Sequence, residues 1–132
     1  MKKILFIDED FSVLHAFYED LIETYNFDVN WITKADDVMD AFEGEKYDAI
    51  ILDIMMPVPK LWSKNENRKA NFGLATGIIL FQKIREKYPQ IPILIYSAKG
   101  GIPTDEHSSY LRKPELTQTI VDKLKKLMKD EK

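Results

Sequence analysis

Cysteine is absent from these 132 residues, which excludes a disulfide framework and any thiolate metal ligand. Histidine is almost as scarce, with only His15 and His107. No apolar run approaches the roughly 18 residues that a membrane-spanning helix requires. The Met-Lys-Lys start leads into only four apolar residues before Asp8, too few for the core of a secretory signal. An excess of positive charge is missing too: the net charge of −3 offers no general attraction to nucleic acid or to anionic lipid. The expected setting is therefore the reducing cytoplasm, with neither nucleic acid nor membrane as a partner. There is no repeat at fixed period and no low-complexity tract. What is present, 45% hydrophobic and 11% aromatic residues, suits a single domain over 1–132 that buries a core without metal or disulfide staples.

Apolar runs of strand length alternate with helical patterns along the chain. "KILFI" (3–7), "DVNWI" (28–32), "AIIL" (49–52), "PILIYS" (92–97) and "SYL" (109–111) read as strands. Between them Leu14, Phe17, Tyr18, Leu21, Ile22 and Tyr25 mark a first helix behind an Asp10 or Ser12 cap, and Val38, Ala41 and Phe42 a short second one. Leu80, Phe81, Ile84 and Tyr88 mark a third, and Ile120, Val121, Leu124, Leu127 and Met128 the last. Strands without polar alternation, separated by helices, predict an α/β fold with a parallel sheet covered on both faces. Two segments break the rhythm. Residues 57–75, "PVPKLWSKNENRKANFGLA", hold no sustained period and read as a surface loop inserted at about 58–75. Residues 99–108 stand where a fourth helix belongs, but Gly100, Gly101 and Pro103 leave it reduced or absent.

The polar residues fall at the strand ends, where parallel sheets bind ligands. The first strand ends in Asp8, Glu9 and Asp10, the third at Asp53, the fourth at Ser97, and Lys113 follows the fifth. Asp53 interrupts the apolar run "AIILDIMMP", and burying a lone carboxylate costs several kcal/mol unless a cation or donors compensate it. Several carboxylates in one crevice call for a metal, and oxygen ligands alone suit Mg²⁺ or Ca²⁺ better than zinc. An acid, a metal, a lysine and a hydroxyl together describe phosphoryl transfer to an aspartate.

In order, "ILFIDED", "LDIMMP", "ILIYSAKG" and "YLRKP" resemble the four motifs of a response-regulator receiver domain (CheY-like), the phosphoacceptor module of two-component signalling. The resemblance spans almost the whole chain. It implies a doubly wound, flavodoxin-like sheet of order 2-1-3-4-5. It implies that Asp53 accepts a phosphoryl group from a sensor histidine kinase or a histidine phosphotransfer protein, with Mg²⁺ held by Asp8, Glu9, Asp53 and the backbone carbonyl of Met55. Ser97 matches the switch hydroxyl, Tyr110 the aromatic that reports its movement, and Lys113 the lysine that acts with Asp53 in the chemistry. Lys113-Pro114 matches a bond often cis in the family. Phosphorylation would then bias a two-state surface that binds a downstream protein of unknown identity. Enzymatic turnover is not implied beyond Mg²⁺-dependent self-phosphorylation and slow autodephosphorylation, Met55 and Lys99 flanking the access of water.

The departures from the family are specific. Glu9 replaces the more usual Asp, so either Glu9 or Asp10 is the direct metal ligand. The third helix begins only at Thr76, and the insertion thus lies beside the phosphoacceptor, placed to cover it, to select a kinase or to carry a contact surface of its own. Without a fourth helix the usual signalling face is altered. Plainer roles are available for single residues: Asp10 as a helix cap, Tyr110 as core, His15 and His107 as surface residues, and the "KLKKLMKDEK" tail as a solvated face. Trp62 and Phe72 either dock a partner or fold back over the core. Three functions compete. One is a single-domain receiver; another is a pseudo-receiver that binds proteins without cycling phosphate. The third is an aspartate-nucleophile phosphohydrolase of the haloacid dehalogenase kind, disfavoured because Met55 stands where that family has its second Asp.

Overall fold

The computed structural model describes residues 1–60, 62–73 and 75–129, apart from the side chains of Phe11 and Phe72. Strands β1 (Lys3–Ile7), β2 (Asp28–Ile32), β3 (Ala49–Leu52), β4 (Ile93–Ser97) and β5 (Ser108–Arg112) form one five-stranded sheet of order β2-β1-β3-β4-β5. Every neighbouring pair is parallel. The inner strands β1, β3 and β4 read as continuous apolar runs because both faces are covered, while the edge strands β2 and β5 carry polar residues and are only partly buried. Leu5, Ile7, Ile50, Leu52 and Ile95 point into one core, while Ile4, Phe6, Ile51, Leu94 and Tyr96 point into the other.

Helices α1 (Phe11–Glu23) and α4 (Thr117–Leu127) close the second core with Leu14, Leu21, Ile120, Val121 and Leu124. Ile22, expected in the inner stripe of α1, is instead on the exposed side of the helix. Helix α3 (Thr76–Lys87) closes the first core with Leu80 and Ile84. Beside it the expected second helix is two 3-10 turns, Ala35–Asp37 and Asp40–Phe42, which still bury Val38 and Phe42. Asp is a poor helix former and Val is β-branched, so "ADDVMDAF" offers too few good helix residues to nucleate two α turns. No helix lies between β4 and β5, as the glycines and proline there predict. Arg85 holds that connection instead: its guanidinium donates from Nε and Nη2 to Asp105 at 2.8 and 3.2 Å and from Nη1 to the carbonyls of Tyr88 and Ile91 at 3.1 and 2.8 Å.

The insertion is more ordered than a loop. Helix α2 (Lys64–Lys69) starts at Ser63, whose hydroxyl accepts the Glu66 N–H while the Glu66 carboxylate accepts the Ser63 N–H. Trp62 folds back against the core, with the Lys83 ammonium 5.7 Å from its ring centre. The side chain of Phe72, the other candidate docking aromatic, lies outside the described residues, as do residues 130–132 of the lysine-rich tail. The insertion ends where it began: Met56 N–H donates to the Gly73 carbonyl at 3.0 Å, and the Thr76 hydroxyl donates to the Met56 carbonyl.

Candidate functional site

Register decides which acids meet. Ile7 pairs with Leu52 across β1 and β3, and the Asp53 N–H extends the ladder by donating to the Ile7 carbonyl at 2.9 Å. The residues that follow those two strands, Asp8 and Asp53, therefore emerge side by side at the carboxyl end of the sheet. Both are buried, at 1% and 6% exposure. Across β4 and β5, Ser97 pairs with Arg112, and the Lys113 N–H donates to the Ser97 carbonyl at 3.0 Å. That contact delivers the Lys113 side chain to the same end.

The Lys113 ammonium lies 2.5 Å from Asp8 Oδ2 and 3.6 Å from Asp53 Oδ2, so one cation serves two buried carboxylates. Asp8 is fully engaged, because its Oδ1 accepts the Asp10 N–H at 3.0 Å. Burial first, and the Asp53 charge second, push the Asp8 carboxyl above its ordinary range, against the downward pull of Lys113 and the Asp10 amide. On Asp53, Oδ1 accepts the Ile54 N–H at 2.8 Å, while Oδ2 accepts no hydrogen bond from the described residues. Asp53 borders a cleft of about 340 Å³ lined also by Glu9, Asp10, Met55, Ala98 and Lys113. A carboxylate at an open cleft, with one oxygen that accepts no hydrogen bond among the described residues and a lysine 3.6 Å from it, is arranged as a nucleophile toward an anionic electrophile.

The remaining expected residues are nearby in different conditions. Ser97 is buried, and its hydroxyl oxygen accepts the Lys99 N–H at 3.4 Å. Tyr110 is partly buried and its hydroxyl donates to the carbonyls of Lys99 and Ser97, at 2.8 and 3.2 Å. The Lys113-Pro114 bond is cis. Asp10 occupies the cap position of α1, but its side chain makes no capping hydrogen bond. His15 pairs with Glu19 at 2.7 Å on the outer face of α1, and His107 joins the Asp105 turn through its backbone. Among the described residues no three acidic or histidine side chains close into a cage. Mg²⁺ does not require one, since it keeps several waters and takes one or two carboxylates. Three of the residues lining the cleft, Glu9, Asp10 and Asp53, carry carboxylates and none carries a thiol or an imidazole, a donor set that suits that ion.

Two residues of the site escaped the sequence reading. The Trp31 indole N–H donates to the Asp8 carbonyl at 2.9 Å, and the Tyr96 ring lies 5.5 Å from the Lys113 ammonium. The only trace of Tyr96 in the sequence is a polar-tipped aromatic within a buried apolar strand, and Trp31, in the partly exposed edge strand β2, leaves even less.

The chain matches no protein-family model and no curated protein. Solved structures do resemble it along nearly its full length. A CheY-like response regulator receiver domain protein from Methanospirillum hungatei JF-1 is 17% identical, with 98% of this chain and 95% of that one covered at a TM-score of 0.74. The response regulator protein TrrA from Thermotoga maritima, solved in complex with Mg²⁺-BeF, is 23% identical, with coverage of 96% and 99% and a TM-score of 0.72. A response regulator protein from Burkholderia pseudomallei, solved with a phosphorylated aspartic acid, calcium ion and citrate, is 19% identical, covering 98% of this chain and 70% of that one at a TM-score of 0.70. With its strand order, its all-parallel sheet and these likenesses, the chain has the fold of CheY-like response-regulator receiver domains.

Proposed function

We propose that this chain is a receiver that stores a phosphoryl group on Asp53. The observation that carries the reading is the shared ammonium: Lys113 pairs with both Asp8 and Asp53, Asp53 lines an open cleft, and among the described residues its Oδ2 accepts no hydrogen bond and is held only by the looser ion pair at 3.6 Å. In the transfer, Asp53 Oδ2 forms a bond to phosphorus as the bond from phosphorus to the donor's imidazole nitrogen breaks and that nitrogen keeps the electron pair. Lys113 balances the negative charge that the phosphoryl oxygens bring. The Ser97 hydroxyl, released from the Lys99 amide, becomes a donor to one of those oxygens, and Tyr110, bonded to the same loop, follows the change. Mg²⁺, held by Asp8, Asp53, the Met55 carbonyl and either Glu9 or Asp10, would supply further neutralisation of the phosphoryl charge. The phosphorylated aspartic acid of the Burkholderia protein and the Mg²⁺-BeF bound to the Thermotoga protein support this assignment by analogy.

The donor is a sensor histidine kinase or a histidine phosphotransfer protein, and the readout is a protein-binding surface rather than catalytic turnover. A cytoplasmic location follows from that partnership. None of the helices among the described residues is long and apolar enough to cross a membrane. A second reading, the pseudo-receiver, draws on one observation: Glu9 and Asp10 are exposed, and among the described residues no third acid closes on Asp8 and Asp53. The two are separated by the intact mass of wild type and Asp53→Ala after incubation with Mg²⁺ and a small acyl phosphate. One phosphoryl group added to wild type alone supports the receiver. No gain in either protein, with folding verified, leaves the pseudo-receiver.

A further inference from the structure

Lys113 is a long, flexible side chain on which the proposed chemistry depends, and something must hold it in place. Its two ion pairs cannot do this throughout, because Asp8 and Asp53 change charge environment when a phosphoryl group arrives. A neutral support would be indifferent to that change. Tyr96 on β4 is such a support: it is 4% exposed, and the Lys113 ammonium sits over its ring, 5.5 Å from the centre. A cation over a desolvated aromatic face is held by the ring quadrupole rather than by a counter-charge. The Tyr96 hydroxyl accepts the Glu115 N–H at 3.0 Å, so the same side chain also grips the backbone two residues beyond the lysine. The ring is itself wedged: Phe17 lies 6.0 Å away, and Phe17 packs edge-on against Phe6 at 5.4 Å.

We infer that Tyr96 is a positioning residue for Lys113, its ring setting where the ammonium rests and its hydroxyl anchoring the turn that follows. Tyr96 does not line the cleft, so it acts through Lys113 and not on the phosphoryl group. The inference rests on the receiver reading for its effect on chemistry, but the contact itself can be tested without phosphate. The variants are Tyr96→Phe, which keeps the ring, and Tyr96→Leu, or Tyr96→Met should the leucine variant fail to fold.

In the unphosphorylated protein, the Lys113 ε-methylene NMR signals are expected upfield in wild type and Tyr96→Phe, and at an ordinary position in the aliphatic variant. Phosphorylation by a small acyl phosphate with Mg²⁺ is expected to slow about ten-fold in the aliphatic variant, the size of one such contact, and far less in Tyr96→Phe. In a Lys113→Met background the aliphatic change is expected to add no further loss. Lys113 signals that are the same in the aliphatic variant as in wild type overturn the inference. So does an equal slowing with and without Lys113, which would mark Tyr96 as ordinary core. Absence of phosphorylation in wild type would sink the receiver reading, and the NMR comparison would still decide the contact.

Discussion

The close approach of helix α3 to the backbone of Asp53 makes Gly77→Ala the sharpest test of the geometry. Gly77 is buried at the second position of α3, and its N–H donates to the Ile54 carbonyl at 2.8 Å. A Cβ built there would stand 2.2 Å from the Asp53 carbonyl oxygen, 2.5 Å from Ile54 Cα and 2.9 Å from the Asp53 carbonyl carbon. All three are backbone atoms, so no rotamer change relieves the clash, and the helix start must recede by roughly an ångström to reach ordinary contact. Alanine gains about 1 kcal/mol of helix propensity. Against this stand overpacking, at about 1–3 kcal/mol or more, and a weakened hydrogen bond of about 1 kcal/mol. The expected net loss is about 2 kcal/mol, a fall in Tm of roughly 6–10 °C for a domain of this size. Misplacing Asp53 by that distance should also slow its phosphorylation by about 100-fold. Gly100→Ala is the control, because its Cβ would meet only Arg112 Nη1 at 3.8 Å; stability there should hold or rise by about 0.5 kcal/mol. Thermal and urea unfolding of both variants decide the matter, and a Gly77→Ala midpoint at or above wild type refutes the reasoning.

The Asp8 carboxyl is raised above 3.8, so the stability it contributes is complete below that pH and is lost as pH rises through the raised value. With chelator present, Asp8→Asn should therefore be more stable than wild type at pH 7 and lose that advantage at about pH 3.5, a crossover measured by urea unfolding across pH. Mg²⁺ at about one hundred times its dissociation constant should add about 2.7 kcal/mol to wild type and little to Asp8→Asn. Arg85→Ala strips donors from Asp105 and from two carbonyls at once, and should cost about 2–3 kcal/mol, with faster amide exchange over residues 102–107. Against the burial that opposes it, Ser108, Arg85 and the His107 amide hold the Asp105 carboxyl below 3.8, so its contribution is present above that pH and fades as pH falls through the lowered value. The Arg85→Ala deficit should shrink correspondingly in acid. Ser63→Ala removes one half of the α2 capping box and should cost about 1 kcal/mol locally, read as faster exchange of the α2 amides with the sheet unaffected.

Strands β1, β3 and β4 were legible because burial on both faces leaves each as an unbroken apolar run, and the candidate site was legible because ligands in such folds bind where those runs stop. Asp53, Asp8 and Lys113 could thus be placed together from order alone. The short second helix was misread because Val38, Ala41 and Phe42 have the right spacing for a helix. Spacing reports which side is buried and is silent on whether Asp-rich neighbours can sustain an α turn. Helix α2 was missed for the opposite reason: "KNENRK" is polar all round and has no stripe, although Ser63 and Glu66 spell its start. The grip of Arg85 on Asp105 and of Tyr96 on Lys113 joins residues that meet only through the sheet's order, and no local pattern announces either pair.

The clasp at the base of the insertion has a consequence for how this chain can change. Residues 57–73 leave and rejoin the domain within one hydrogen bond of each other, Met56 to Gly73, with Thr76 fastening the outer side. For a segment closed in this way, doubling its length adds only about 0.6 kcal/mol of closure entropy. Its length is therefore nearly uncoupled from the stability of the sheet beneath, whereas its wording is tied down where Trp62 packs against the core and Ala70 is fully buried. Evolution, or an engineer, can lengthen this segment as one would a handle, rooted three residues from Asp53, so long as Trp62 and Ala70 keep their places.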